Sequence, residues 1–144
     1  MTRRARFRTA LALCAAVGAV WWWVAQRNPA LAGIEADSVR AVEVQFAPWG
    51  EEAPRPGGES NDPDAVAALV AVLRTGTEGR DHKCGDRGTL TLKRASGATV
   101  RLTFLPGHSP EWYELRYGTK LYRVPRAAFV EAVRRIGVVL PLEC

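Results

Sequence analysis

The side chains best suited to chemistry lie in one polar segment and at two positions farther along the chain. Thiolate and imidazole are good zinc ligands, and a thiol activated by an imidazole and an orienting carboxylate can act as a nucleophile. These residue types therefore allow a metal site or a hydrolytic Cys–His pair. The residues concerned are Asp81, His82, Cys84, Asp86, His108 and Cys144.

The spacing of these residues favours neither chemistry. No C-x-x-C or H-E-x-x-H element accompanies them. In the run 81–84, alternating side chains allow only two of these residues to converge on one metal ion, unless His108 also contributes. Cys84 also lacks a nucleophile-elbow context or a following helix N-terminus that would activate it. We therefore assign no catalytic residue, metal or cofactor, and keep a site of His82, Cys84 and His108 as the alternative.

Cys84 and Cys144 are expected to form a disulfide. Both follow the apolar N-terminal segment described below, and thiols in an oxidising compartment pair by default. The bridge would close about 60 residues and stabilise the fold by about 4 kcal/mol in the chain-entropy model. It would also remove Cys84 as a nucleophile.

The N-terminus has the pattern of an export signal. Four arginines in the first eight residues precede residues 9–25, which carry no charge. Fixed positive charge stays in the cytoplasm, so the chain from about residue 33 onward is predicted to be extracytoplasmic. Residues 1–32 are thus a signal peptide or signal anchor, and residues 33–144 form the domain.

Two outcomes are open for this segment. Ala-Leu-Ala at residues 30–32, before Gly33, fits a signal peptidase, and cleavage after Ala32 would give a secreted or periplasmic protein. The 17 uncharged residues span about 25 Å as a helix, and the tryptophans at 21–23 suit the far membrane interface. Because this run exceeds the usual signal core of about 7–15 residues, we favour a single-pass anchor with a cytoplasmic N-terminus.

The excess positive charge belongs to this segment and not to the domain. The net charge is +5 and the isoelectric point about 9.6, but five of the 20 basic side chains lie in residues 1–32, which hold no acid. The other 15 balance the 15 acidic side chains. With no basic stripe carrying interleaved aromatics, nucleic-acid binding is not expected. The Ala-, Arg- and Gly-rich composition indicates a bacterium with a GC-rich genome.

The domain is predicted to begin with a strand and a helix. Apolar residues alternate with polar ones over residues 38–46, the period of a half-buried strand. Residues 47–61, rich in Pro and Gly, are expected to form a flexible loop. Asp62 and Pro63 suit a helix N-terminus, and apolar side chains at helical spacing continue to about Arg74.

Two hairpins follow, and their side-chain faces fix the registers. In the first, a three-residue loop ending at Gly97 places Leu92 opposite Val100, so that apolar side chains share one face. In the second, a tight turn at Gly118-Thr119 pairs apolar with apolar and acid with base.

A closing helix from Arg126 to about residue 136, ended by Gly137, completes the order β-α-β-β-β-β-α. This order predicts an N-terminal apolar helix and a small two-layer α+β domain. Its sheet would be mostly antiparallel, with about five strands and both helices on one face.

One side of the second hairpin is a candidate partner surface. Trp112, Arg116, Leu121 and Arg123 alternate with the apolar side chains of the other face. Aromatic and arginine side chains are enriched at protein interfaces. An ordinary solvated face, in which arginine stems cover Trp112 and Leu121, explains the same residues.

These observations favour a non-enzymatic interaction or structural module of the cell envelope. It would be anchored to the membrane through residues 9–25, or exported, and would contact an unknown protein or envelope component. The alternative is an extracytoplasmic thiol- or metal-dependent hydrolase that uses Cys84, His82 or His108.

Overall fold

The computed structural model describes residues 29–47, 56–80, 85–105 and 109–140. No helix among these residues is long and apolar enough to cross a membrane. Outside the described residues lie the candidate membrane segment 9–25, His82, Cys84, His108 and Cys144.

The described residues form seven strands, three α-helical segments and one 3₁₀ turn. The strands are β1 (Val39–Phe46), β2 (Gly58–Ser60), β3 (Thr77–Gly79), β4 (Gly88–Arg94), β5 (Thr99–Leu105), β6 (Trp112–Tyr117) and β7 (Lys120–Pro125). The helices are α1 (Pro29–Ala32), α2 (Pro63–Arg74) and α3 (Arg126–Arg135), and the 3₁₀ turn is Ala36–Ser38. The domain is therefore α+β.

The strands form one sheet in the order β2-β1-β4-β5-β6-β7-β3, and every neighbouring pair is antiparallel. The prediction of about five strands is corrected to seven by two three-residue strands at the edges. β2 lies within residues 47–61, where the sequence predicts only loop, and pairs with β1. β3 follows α2 directly and pairs with β7.

Both hairpins have the predicted registers. Leu92 lies opposite Val100 in the β4–β5 hairpin, and Leu115 lies opposite Tyr122 in the β6–β7 hairpin. The first turn ends at Gly97, which has a φ of 84°. That conformation is costly for a residue with a Cβ, so the glycine suits this turn. The alternation of apolar side chains was therefore sufficient to fix this part of the sheet.

The two longer helices begin and end as the sequence predicts. Asp62 precedes α2, and its carboxylate accepts a hydrogen bond of 3.1 Å from the backbone N–H of Asp64. This bond satisfies one of the free N–H groups of the first turn, where Pro63 needs no partner. Gly137, with a φ of 84°, follows the end of α3.

The hydrophobic core lies between one face of the sheet and the helices. Buried residues of α2, α3 and alternate positions along β1 and β4 to β7 belong to one cluster, so both helices pack on the same face. Aromatic rings extend across it. The ring centroids of Phe46 and Phe104 lie 5.6 Å apart, and those of Tyr113 and Phe129 lie 5.0 Å apart.

The short helix α1 is also part of this core. Leu31 is fully buried and Ile34 is 1% exposed. A Cβ atom on Gly76 would lie 3.2 Å from Cδ1 of Leu31 and 3.3 Å from Cγ1 of Val124. Leu31 therefore fills the space between the end of α2 and strand β7. Core packing thus begins upstream of residue 33.

Candidate functional site

The candidate partner surface lies on the face of the sheet opposite the helices, which we call the open face. Tyr113 and Leu115 of β6 point into the core, so Trp112, Glu114 and Arg116 lie on the open face because side chains alternate along a strand. By the same alternation, Leu121 and Arg123 of β7 lie there too. The second hairpin thus brings the four predicted surface residues to one side of the sheet.

Glu114 is the buried centre of this hairpin face. It is 3% exposed and lies directly opposite Arg123, as the acid–base pairing predicts. The Nε of Arg123 donates to Oε1 of Glu114 over 3.1 Å. Because a buried carboxylate is costly without hydrogen-bond partners, this charge-assisted bond from Arg123 offsets part of the cost of burying Glu114.

Gly79 of the edge strand β3 makes room for the arginine. A Cβ atom on Gly79 would lie 3.1 Å from Nε and 3.2 Å from Cγ of Arg123. The side chain of Arg123 therefore lies across the glycine while its Nε reaches Glu114. The short strand β3 carries no buried apolar side chain. The contact between Gly79 and Arg123 therefore helps to fix its position against β7.

Leu121 does not belong to the exposed part of this surface. It is 1% exposed, and Leu105, which lies on the same face by alternation along β5, is fully buried. Neither belongs to the main core cluster. Leu105 lies opposite Glu114 and Leu121 lies opposite Arg116, so two buried leucines flank the buried acid. A partner cannot contact Leu121 directly in this arrangement.

Trp112 is the exposed apolar side chain of the open face. It is 36% exposed and stands at the start of β6, opposite Pro125. Among the described residues, the other large hydrophobic side chain with such exposure is Val139, at 80%, in the tail after α3. An indole that is partly packed and partly free can contact a partner without first becoming ordered.

Arg116 connects the hairpin to the polar segment before β4. Its Nη1 donates to Oδ1 of Asp86 over 3.1 Å, and both side chains are partly exposed. Asp86 is also the acid that could orient a Cys84–His108 pair, and the structure places it in an ion pair with Arg116. The sequence gives no signal for this contact, because the two residues are 30 positions apart and neither alternation nor a motif links them.

A separate charged cluster occupies the other end of the open face. Nζ of Lys93 lies 2.8 Å from a carboxylate oxygen of Glu43 and 2.9 Å from one of Glu59. The hydrogen bond from Lys93, followed by one from Gln45, lowers the pKa of Glu43 below its usual 4.5. The hydrogen bond to Glu43, followed by the one to Glu59, raises the pKa of Lys93 above its usual 10.5. Because these groups are partly exposed, the cluster joins β1, β2 and β4 weakly.

Of the residues proposed for metal or thiol chemistry, Asp86 alone lies within the described part of the chain, so the site stays a prediction. No group of three or more His, Cys, Asp or Glu side chains there could hold a metal ion. His82, Cys84 and His108 lie outside the described residues. The Cys84–Cys144 disulfide also lies outside them and stays a prediction.

Comparison with known proteins identifies a similar fold but no family. No protein-family model matches the chain, and no curated protein matches it significantly. The fold is similar to that in the crystal structure of a thioesterase-like protein from Clostridium sporogenes, with a TM-score of 0.51 and 11% sequence identity. The similarity covers 74% of this chain and all of that one. At this identity the likeness supports the shared fold alone.

Proposed function

We propose that this protein is a non-enzymatic interaction module of the cell envelope, held outside the cytoplasm by its N-terminal segment. The observation that carries the proposal is the placement of Trp112. The ring is partly exposed on the open face, which also carries the ion-paired Arg116 and Arg123 of the same hairpin. A partly exposed tryptophan on a face that also carries arginines has the composition of an interface centre with a polar rim.

The ion pairs make this surface suitable for a protein partner. Arg123 is bonded to Glu114 and Arg116 to Asp86, so the positive charges near the tryptophan are balanced within the domain. Such a surface does not select for a polyanion by charge. Its ordered side chains also lose little conformational entropy when a partner binds, which favours a defined protein contact.

The location rests on the N-terminal sequence. Residues 9–25 carry no charge and follow four arginines, the pattern that leaves an N-terminus in the cytoplasm and sends the following chain across the membrane. In that oxidising location Cys84 and Cys144 form a disulfide. The bridge ties the C-terminus to the segment that also contains Asp86.

A photo-crosslinking experiment tests the partner surface. A photoreactive amino acid is placed at the exposed position Glu111, next to Trp112, in the full chain expressed in its source cells, and at Val139 as the control. We expect a discrete adduct from position 111 and none from position 139. Adding Trp112→Ala should weaken the adduct at least about tenfold, because an interface anchor contributes about 2 kcal/mol or more.

Equal adducts from both positions, or an adduct unaffected by Trp112→Ala, would argue against this surface. Fractionation of the same cells tests the location. We expect the chain in the membrane fraction, with the domain accessible from outside the cytoplasm. A chain found wholly in the cytosol would remove the proposed location.

The second candidate is an extracytoplasmic thiol- or metal-dependent hydrolase using Cys84, His82 or His108. The specific observation in its favour is the fold likeness to a protein described as thioesterase-like. Counting thiols separates the two candidates. We expect no thiol from Cys84 or Cys144 to react with iodoacetamide in the denatured protein before reduction, and both to react afterwards. Two reactive thiols before reduction, or one zinc ion per chain, would favour the hydrolase.

A further inference from the structure

The position of Leu31 bears on whether the N-terminal segment is removed. The peptidase-like sequence at residues 30–32 would be cut after Ala32, leaving Gly33 as the first residue. In the structure, Pro29–Ala32 forms helix α1, and Leu31 is fully buried in the core. The same tripeptide is therefore both a cleavage motif and a piece of the folded domain.

We infer that the segment is not cut after Ala32 and that the mature protein keeps its membrane anchor. This inference rests on the proposed location and decides between the two outcomes that the sequence leaves open. The Leu31 side chain occupies space bordered by Gly76 and Val124. Cleavage would remove it together with the rest of α1, and a core that loses a buried leucine keeps a cavity because the surrounding structure relaxes only partly.

The retained anchor also fixes where the domain sits. Only residues 26–28 lie between the uncharged stretch and Pro29, the first residue of α1. Even fully extended, three residues span about 10 Å. The domain is therefore held close to the outer surface of the membrane.

The first test is the N-terminus of the mature protein. The full-length protein is extracted from membranes with detergent, and its intact mass is measured and its N-terminal peptide sequenced. We expect a chain that still contains residues 9–32. A mature protein beginning at Gly33 would overturn the inference while leaving export itself intact.

The second test asks whether Leu31 is needed for the fold after the anchor is removed. A site for a sequence-specific protease is inserted in the full chain either between Asn28 and Pro29 or between Ala32 and Gly33. Each protein is folded and purified with its anchor, and its resistance to a nonspecific protease is compared before and after the specific cut.

We expect the cut before Pro29 to release a domain as resistant as the uncut chain. The cut after Ala32 should increase the rate of digestion at least about tenfold, because digestion follows the population of opened molecules. Equal resistance after both cuts would show that α1 is dispensable and would remove the basis of the inference. If the chain were instead found in the cytosol, uncut and dependent on Leu31 for its protease resistance, only the proposed location would be contradicted.

Discussion

The Nε of Arg123 lies 3.1 Å from Oε1 of Glu114, and the two residues face each other across β6 and β7. The environments of the two side chains differ, because the side chain of Glu114 is 4% exposed and that of Arg123 is 42% exposed. One partner is thus a nearly buried charge and the other is a solvated one. Removing the arginine leaves a carboxylate that water reaches poorly, and this asymmetry makes the pair testable.

We predict that Arg123→Met lowers the free energy of unfolding by about 1–3 kcal/mol, measured by urea denaturation. Breaking a fully buried ion pair costs about 3–5 kcal/mol, and the exposure of Arg123 reduces that cost through screening. Arg135→Met is the matched control. Arg135 lies 3.6 Å from Glu131, and both side chains are exposed, so the control should cost no more than about 0.5 kcal/mol. Equal losses would mean that burial of Glu114 is irrelevant.

Gly88 provides a second prediction, which concerns the packing of β4 against β5. Gly88 lies opposite Phe104, and a Cβ atom there would overlap the ring of Phe104 and the backbone oxygen of Gln45. Gly88→Ala should therefore lower the free energy of unfolding by about 1–3 kcal/mol through overpacking. Gly97→Ala is the control, because its Cβ would meet open space and its cost of about 1–2 kcal/mol comes from the positive φ alone.

A double-mutant cycle with Phe104→Leu separates the two glycines. The smaller leucine relieves part of the overlap at Gly88, so the two substitutions should couple by about 0.5 kcal/mol or more. Gly97 does not contact Phe104, and its substitution should add independently. Additivity in both pairs would show that the overlap with the Phe104 ring contributes nothing to the cost of Gly88→Ala.

The sequence predicted the hairpins because their signal is local. Alternation placed Leu92 opposite Val100, and Gly97 supplied the turn. The strands that it missed have no such signal. β2 and β3 contain no buried apolar residue, and they form because β1 and β7 present free backbone groups at the edges of the sheet. Edge pairing is a tertiary contact that periodicity does not report.

The sequence predicted which face of the sheet carries the candidate surface, but not which of its side chains are buried. The two-residue period placed Leu121 and Arg123 on the open face, and it also paired Glu114 with Arg123. It could not show that Leu121 and Glu114 are buried, because alternation separates two faces without saying what covers each. The two-residue period also could not predict the ion pair of Arg116 with Asp86, because this pair joins segments that only the fold brings together.

The Glu43–Lys93 contact predicts a pH dependence of stability. The pKa of Glu43 is lowered, chiefly by the hydrogen bond from Lys93 and next by that from Gln45. A lowered carboxylate pKa stabilises the fold above the unfolded value of about 4.5, and this contribution disappears as the pH falls through the lowered pKa. The raised pKa of Lys93 stabilises the fold at pH values below the unfolded value of about 10.5. This contribution is lost as the pH rises through the raised pKa.

Side-chain NMR titration of Glu43 measures this effect. Lys93→Met should raise the pKa of Glu43 toward 4.5, and Gln45→Met should raise it less, because the lysine is the larger cause. Salt should reduce the difference between wild type and Lys93→Met, since the groups are exposed. A larger shift from Gln45→Met would reverse the assigned order of the two donors.

The contribution of α1 to the fold leads to the last prediction. Leu31 is fully buried and borders Gly76 and Val124, so Leu31→Ala should lower the free energy of unfolding by about 2–5 kcal/mol, as large-to-small core substitutions do. Val139→Ala is the control, because this side chain is 80% exposed and its truncation should change stability by less than about 0.5 kcal/mol. Thermal and urea unfolding of the detergent-solubilised full chain would measure both variants. If Leu31→Ala cost no more than the control, the core would close without α1, and the peptidase motif at residues 30–32 could be used without loss of the fold.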